Sequence, residues 1–169
     1  MKRAIVLFPK FQNLDAIQSI RQRFDPLAKY IAPHLTIVFP FESALSTEEL
    51  SAHLSNALTG LKKFDVRLQG ITGDFRDGYL FLNVKRGNDA IVELHDRLYT
   101  GVLEQFLFRK VTYCPHITVG RIEEQSSFDS TLDALVSFNA SFEAVIDRVY
   151  VENIDPSEYS LIERVFDLE

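Results

Sequence analysis

The sequence predicts an α+β protein built from two similar halves. Short apolar runs of strand length alternate along the chain with amphipathic runs of helical period. The segment 32–40 (APHLTIVFP) recurs in altered form at 114–121 (CPHITVGR), and each copy lies between two predicted helices. An internal repeat of this kind indicates related structural units. Because no linker or low-complexity segment divides the 169 residues, we expect one bilobal domain over 1–169.

The first half predicts, in order, a strand, a helix, a strand, a helix and a pair of strands. The residue ranges are 3–8, 14–24, 34–39, 46–58, 64–71 and 78–84. Pro9 ends the first strand, since proline cannot donate to a sheet ladder. Asn13 is placed to cap the first helix, and Ser46 or Thr47 the second. Asp25-Pro26 ends the first helix.

The second half predicts a helix, a strand, a helix and two closing strands. The ranges are 88–103, 116–120, 127–138, 142–154 and 159–168, with one break expected inside 142–154. The short sequence DPSE at 155–158 has the composition of a turn. Each half therefore has its histidine segment on a strand, and the two strands are expected to border a shared cleft.

Composition and charge exclude several classes of protein. The formal net charge is −6, and no basic run exceeds a dipeptide, so a track for a long nucleic acid is not predicted. A local basic pocket for a short anion stays open. The single cysteine, Cys114, can form neither an intramolecular disulfide nor a cysteine zinc cluster. The apolar run after Met1 is too short for a signal peptide or a membrane span, which predicts a cytoplasmic protein without a membrane partner.

The repeated segments place a histidine and a threonine two residues apart. Residues i and i+2 of a strand point to the same face, so His34 projects with Thr36 and His116 with Thr118. If the two strands lie side by side, two imidazoles and two hydroxyls converge on one small volume. A duplicated lobe could also keep such a segment for structural reasons, with each histidine bound to a carbonyl.

This set of groups suits phosphate-ester chemistry. A neutral imidazole takes a proton from water or a sugar hydroxyl, while a protonated imidazole gives one to the leaving oxygen. Threonine hydroxyls donate hydrogen bonds to the non-bridging phosphate oxygens. No metal is required, and neither a His-x-His nor a His-Glu-x-x-His pattern is present. Residue types alone do not distinguish the acid from the base.

The segments PHLTIVF and PHITVGR resemble the paired motifs of the 2H phosphoesterase superfamily. This group includes 2'-5' RNA ligase-like proteins and cyclic nucleotide phosphodiesterases, and the first strand and the sequence RLYTGVL are similar to its small bacterial members. The resemblance implies two pseudo-symmetric ferredoxin-like lobes with antiparallel sheets around a central cleft. It implies His34 as proton donor, His116 as proton acceptor, and Thr36 and Thr118 as phosphate ligands.

The implied activity is hydrolysis of a 2',3'-cyclic phosphate, or a related cyclic or 2'-5' phosphodiester, in a small nucleotide or a short RNA end. No cofactor is implied. Two alternatives stay open: a nucleotide or RNA-end binding module on the same fold, and a 2'-5' RNA ligase.

Several residues beside the motifs are candidates for substrate binding. Arg121 could contact a second phosphate or be a solvated strand end. Tyr113, Phe39 and Phe41 could stack on a base, with core packing as the alternative.

Three further residues are given structural interpretations. His53 and His95 lie on predicted helices and are interpreted as boundary or surface residues. Cys114 is interpreted as a small buried thiol.

Overall fold

The computed structural model describes all residues from 1 to 169. The chain forms eight strands, four α-helices and one 3₁₀ helix, and the order predicted from the sequence is confirmed. The elements are β1 Lys2–Leu7, α1 Leu14–Phe24, β2 Leu35–Glu42, α2 Thr47–Ala57, β3 Phe64–Asp74, β4 Tyr79–Arg86, α3 Asn88–Leu98, the 3₁₀ helix Gly101–Phe106, β5 His116–Arg121, α4 Gln125–Leu135, β6 Ser141–Ile146, β7 Arg148–Ile154 and β8 Ser160–Asp167.

The expected break inside 142–154 is a single residue, Asp147, between β6 and β7. The predicted helix over 88–103 is shorter than expected: α3 ends at Leu98. A separate 3₁₀ helix follows from Gly101, whose φ of +51° is a left-handed conformation that favours glycine.

The helix caps differ in part from the sequence prediction. Ser46 caps α2 in a capping box with Glu49. Asn13 precedes α1 but makes no side-chain cap; its Nδ2 instead donates to the Ser141 carbonyl, 3.1 Å away. That bond connects the start of α1 to β6. The two residues are far apart in the sequence, so the local pattern around Asn13 could not predict the contact.

All eight strands belong to one antiparallel sheet with the order β6-β3-β4-β5-β2-β1-β7-β8. Strands β1, β2, β7 and β8 form the first lobe, and β3, β4, β5 and β6 form the second lobe. The two lobes join where β2 pairs with β5. The predicted α+β fold with two antiparallel lobes is confirmed, and the lobe sheets are continuous with each other. Because one residue links β6 at one edge to β7 near the other, the sheet is strongly curled.

The two lobes share a core. Helix α1, which follows a first-lobe strand, packs on β5 of the second lobe, while α3 packs on β2 of the first. A cluster of 31 buried apolar residues runs through both lobes. No helix combines the length and the apolar composition that crossing a membrane would need. The helices thus occupy one face of the central strands and leave the other face available for a site.

Candidate functional site

The register between β2 and β5 brings the two histidine segments together. Leu35 is paired directly with Ile117, and both side chains are buried in the core, at 0 % and 1 % exposure. In this antiparallel register His34 lies across from Thr118, and Thr36 lies across from His116. The four polar side chains are half-buried on the opposite face. Cross-strand neighbours have Cβ atoms about 4.5–5.5 Å apart and diagonal ones about 7–8 Å, so the two imidazoles flank a space suited to one phosphate.

Both histidines are held in the same tautomer. Nδ1 of His34 lies 2.9 Å from the Ala32 carbonyl oxygen, and Nδ1 of His116 lies 2.7 Å from that of Cys114. A carbonyl oxygen only accepts, so Nδ1 carries a hydrogen and donates it. Nε2 is left free for proton transfer in both rings.

The proline before each histidine explains this shared contact. Pro33 and Pro115 are buried, and a residue that precedes proline is held in an extended conformation. With its own φ fixed, each proline directs the carbonyl of the residue before it, Ala32 or Cys114, toward the imidazole of the residue after it. The repeated Pro-His pair therefore sets the orientation of the catalytic candidates as well as their position.

The surroundings of both imidazoles favour their neutral forms. Burial is the main cause that brings the pKa of His34 from an ordinary 6.5 down to about 4. The positive charge of Arg21 acts in the same direction, whereas the bond to the Ala32 carbonyl and the negative charge of Asp25 oppose the shift. Burial also lowers the pKa of His116. An anionic phosphate between the rings would raise both pKa values, because a nearby opposite charge favours the protonated form.

A buried ion pair supports the segment before His34. Nε of Arg21 lies 2.8 Å from Oδ2 of Asp25, and both residues are buried in the last turn of α1 and just after it. Arg21 Nη1 also donates to the Ile31 carbonyl at 2.9 Å, while Asp25 Oδ1 accepts from the Leu27 backbone at 2.9 Å. These bonds hold both ends of the loop that leads to His34.

Two residues of β4 complete the wall beside His116. The Phe81 ring lies against the imidazole, with centroids 4.2 Å apart. Asn83 is the direct cross-strand partner of His116; its Oδ1 accepts from Thr72 Oγ1 and its Nδ2 donates to the Gly70 carbonyl, both at 3.1 Å. The sequence analysis missed both residues. Their alternation in β4 is visible in the sequence, but the pairing with β5 is not.

Arg121 lies on the same face as His116 because β5 contains a bulge. Phe81 pairs with Thr118, and Tyr79, two residues earlier on the same face, pairs with Arg121. Thr118 and Arg121 are three residues apart, so one extra residue is accommodated at Val119–Gly120. The guanidinium carbon of Arg121 lies 5.3 Å from the Tyr79 ring centroid, and the side chain is exposed. Arg121 is thus at the outer end of the His116 face, where a regular strand without the bulge would not have put it.

Tyr113 links the two lobes behind the site. Its hydroxyl donates to the Thr36 carbonyl at 2.9 Å, and its ring stacks on His95 with centroids 3.9 Å apart. The interpretation of His95 as a boundary or surface residue was wrong: the side chain is buried between Tyr113 and Tyr99. A prediction from the helix pattern alone could not include this aromatic cover, which comes from elsewhere in the fold.

The other flanking residues have mixed positions. Phe39 is half-buried against Phe108, with ring centroids 5.6 Å apart, whereas Phe41 is buried against Phe106. These contacts agree with the packing alternative.

His53 and Cys114 carried structural interpretations of their own. His53 is half-buried, as predicted for a boundary residue. The interpretation of Cys114 as a buried thiol was wrong, since the side chain is exposed and the next residue, Pro115, is the buried one.

The wall beside His34 is also aromatic. Phe8, the residue directly after β1, makes an edge contact with the His34 ring at 6.1 Å between centroids, and Tyr150 of β7 contacts Phe8 at 5.1 Å. The sequence analysis did not identify either residue. No local signal marks them, since the pairing of β1 with β2 brings Phe8 to His34 and the pairing of β1 with β7 brings Tyr150 to Phe8.

Comparison with known proteins places this geometry in a family. A sequence model of the 2'-5' RNA ligase superfamily matches residues 8–157. A protein of Bacillus licheniformis named "Putative phosphoesterase" is 31% identical over 154 residues, which cover 89% of each chain. The span matched by the superfamily model includes both histidine segments, 32–40 and 114–121.

Solved structures show the same fold. The apo crystal structure of E. coli LigT superposes with a TM-score of 0.66 at 13% identity and covers 99% of this chain and 96% of that one. TT0787 of Thermus thermophilus gives a TM-score of 0.65 at 17% identity, over 99% and 98% of the two chains. LigT has also been crystallised with ATP, 3'-AMP and NADP+.

Proposed function

Because this chain belongs to the 2'-5' RNA ligase superfamily of 2H phosphoesterases, we propose that it hydrolyses a 2',3'-cyclic phosphate, or a related cyclic or 2'-5' phosphodiester. The substrate would be a small nucleotide or a short RNA end. The observation that carries the proposal is the pairing of Leu35 with Ile117, which sets two His-x-Thr pairs across from each other on one face. Both imidazoles present a free Nε2 there, as acid/base catalysis requires.

The proposed reaction uses one histidine on each side of the phosphorus. Following the family resemblance, His116 Nε2 takes a proton from water as the water oxygen bonds to phosphorus. The bond from phosphorus to one ribose oxygen breaks, and His34 gives its Nε2 proton to that oxygen. Thr36 and Thr118 donate hydrogen bonds to the non-bridging oxygens, where negative charge increases. After this step His116 holds one extra proton and His34 has lost one. Exchange of protons with solvent then returns both histidines to their starting forms.

The substrate class follows from charge and size. The net charge of −6, without a basic run, favours a short anion over a long nucleic acid. The nucleotides bound to LigT, which shares the fold, support a ligand of this size. Arg121 at the outer end of the His116 face is placed to meet a second phosphate group.

One observation favours the second candidate, a nucleotide-binding module without turnover. With a pKa of about 4 in the free protein, His34 is almost wholly neutral at pH 7 and must gain its proton after the substrate binds. A protein that only binds nucleotides needs no such proton.

The decisive experiment is a turnover assay in the presence of EDTA. The substrates are a panel of 2',3'-cyclic nucleotides, short RNAs that end in a cyclic phosphate, and 2'-5' linked dinucleotides. We expect hydrolysis of at least one class, with a rate that EDTA does not change. Nucleotide binding without any turnover would contradict the proposal and favour the binding module.

The pH dependence of hydrolysis should reflect the two low pKa values. Since kcat/KM reports the free enzyme, its maximum should lie below pH 6.5. The value should fall as pH rises from there to neutrality, because the protonated fraction of His34, whose pKa is about 4, keeps decreasing. The maximum of kcat should lie at higher pH, because the bound anion raises the pKa of His34. A pH-rate profile of both constants checks this; a kcat/KM maximum above pH 7 would contradict it.

A further inference from the structure

We propose that a groove on the first lobe, beside His34, binds the nucleobase of the substrate. This inference rests on the proposed function, since it assigns the substrate class of the same site. The groove has a volume of about 560 Å³, within the range of about 300–1,000 Å³ that small-molecule sites occupy. Its lining includes Phe8, Tyr30, Pro33, Tyr150 and Ile162.

The groove is continuous with the catalytic candidates. Ala32 and Pro33, the two residues before His34, are part of its wall, and the Ala32 carbonyl is the group that orients the imidazole. Phe8 contacts His34 on one side and Tyr150 on the other. A ligand whose phosphate lies beside His34 therefore has its next ring at the entrance of the groove.

The chemistry of the lining favours a flat, uncharged ring. Eight of the twelve lining residues are apolar, and Lys10 is the single charged one. Three aromatic rings, those of Phe8, Tyr30 and Tyr150, offer faces or edges on which a base can stack irrespective of its identity. In a nucleotide, only the ribose lies between the base and the 2' and 3' oxygens that carry the cyclic phosphate. The base is therefore close to the phosphate, just as the groove is close to the His34 imidazole.

The walls of the groove are fixed before a ligand binds. The Tyr30 ring packs edge-on against Tyr159 at 4.9 Å between centroids, and the Tyr30 carbonyl accepts from the Ser160 backbone at 3.2 Å. Arg21 holds the adjacent Ile31 carbonyl at 2.9 Å. A ligand therefore meets a preformed surface, which lowers the entropic cost of binding.

The test compares two substrates with the same five-membered cyclic phosphate ring. Adenosine 2',3'-cyclic phosphate carries a base, and glycerol 1,2-cyclic phosphate does not. We expect Tyr150→Leu to lower the ratio of their kcat/KM values about tenfold, the loss expected for one stacked base. Phe75→Leu is the matched control, since Phe75 lies on the β3–β4 turn against Phe128, and should leave the ratio unchanged.

Calorimetric titration of 2'-AMP separates this proposal from the proposed function. We expect Tyr150→Leu to weaken the binding of 2'-AMP about tenfold. If that happens but no substrate is hydrolysed, the result supports the base-binding groove and contradicts the proposed hydrolase activity. Suppose instead that the unmodified protein and Tyr150→Leu both hydrolyse the substrates, with the same ratio of kcat/KM values and the same affinity for 2'-AMP. This result would contradict the base-binding groove and support the hydrolase activity. If Tyr150→Leu does not fold, Tyr30→Leu replaces it, with the same expected results.

Discussion

Replacing either His34 or His116 with alanine should reduce hydrolysis roughly 100- to 10,000-fold, the usual contribution of one general acid or base. The two losses should be similar, because each ring supplies one of the two proton transfers. The double variant should lose little more than either single variant, since residues that act as a unit are not additive. Steady-state kinetics on the best substrate of the panel, in EDTA, measures all three variants.

The histidine experiment has a matched control within the chain. His53 is a half-buried histidine whose Nε2 lies 2.9 Å from the Leu98 carbonyl, away from the β2–β5 contact. His53→Ala should retain hydrolysis at the level of the unmodified protein. Loss of activity in only one of the His34 and His116 variants would contradict a two-histidine mechanism.

Removing the carboxylate of Asp25 should lower the free energy of unfolding by about 3–5 kcal/mol. Asp25→Ala leaves the Arg21 guanidinium buried and without its partner, and an uncompensated buried charge is costly. The double variant Arg21→Leu/Asp25→Leu removes the whole pair and should regain much of this loss. Urea denaturation followed by circular dichroism gives the three free energies.

An exposed pair provides the comparison for this prediction. Arg97 Nη2 lies 2.7 Å from Glu93 Oε1, with both side chains substantially exposed on α3. Glu93→Ala should cost less than about 1 kcal/mol, because solvent screens such pairs. If Asp25→Ala cost as little as Glu93→Ala, the ion pair would not support the loop before His34.

The features predicted correctly from the sequence are those that depend on local pattern. The order of strands and helices follows from apolar periodicity over a few residues, and the shared face of His34 and Thr36 follows from the two-residue period of a strand. The repeat of the segment indicated two related lobes. Proline before each histidine was visible, although its role in orienting the ring became clear only from the carbonyl contacts.

The features that were missed depend on which strands pair and in which register. Phe8, Tyr150 and Asn83 reach the histidines through long-range pairing of β1, β7 and β4, for which neighbouring residues carry no signal. His95 is covered by Tyr113 from a later loop, which a helix pattern cannot show. Cys114 is exposed because the extended residue before a buried proline points the other way.

The strand order has a consequence for synthesis on the ribosome. The second lobe is formed by one continuous part of the chain, from β3 to β6. The first lobe is not, because β1 pairs with β7, and β7 with β8, which are synthesised after the second lobe. The lobe that begins first is therefore completed last, and until then one edge of β1 is unpaired and able to pair with another chain. Pairing with β7 covers this edge, from Arg3 opposite Asn153 to Val6 opposite Tyr150. A nascent chain that stops before β7 would thus be prone to aggregate although the whole second lobe had been made.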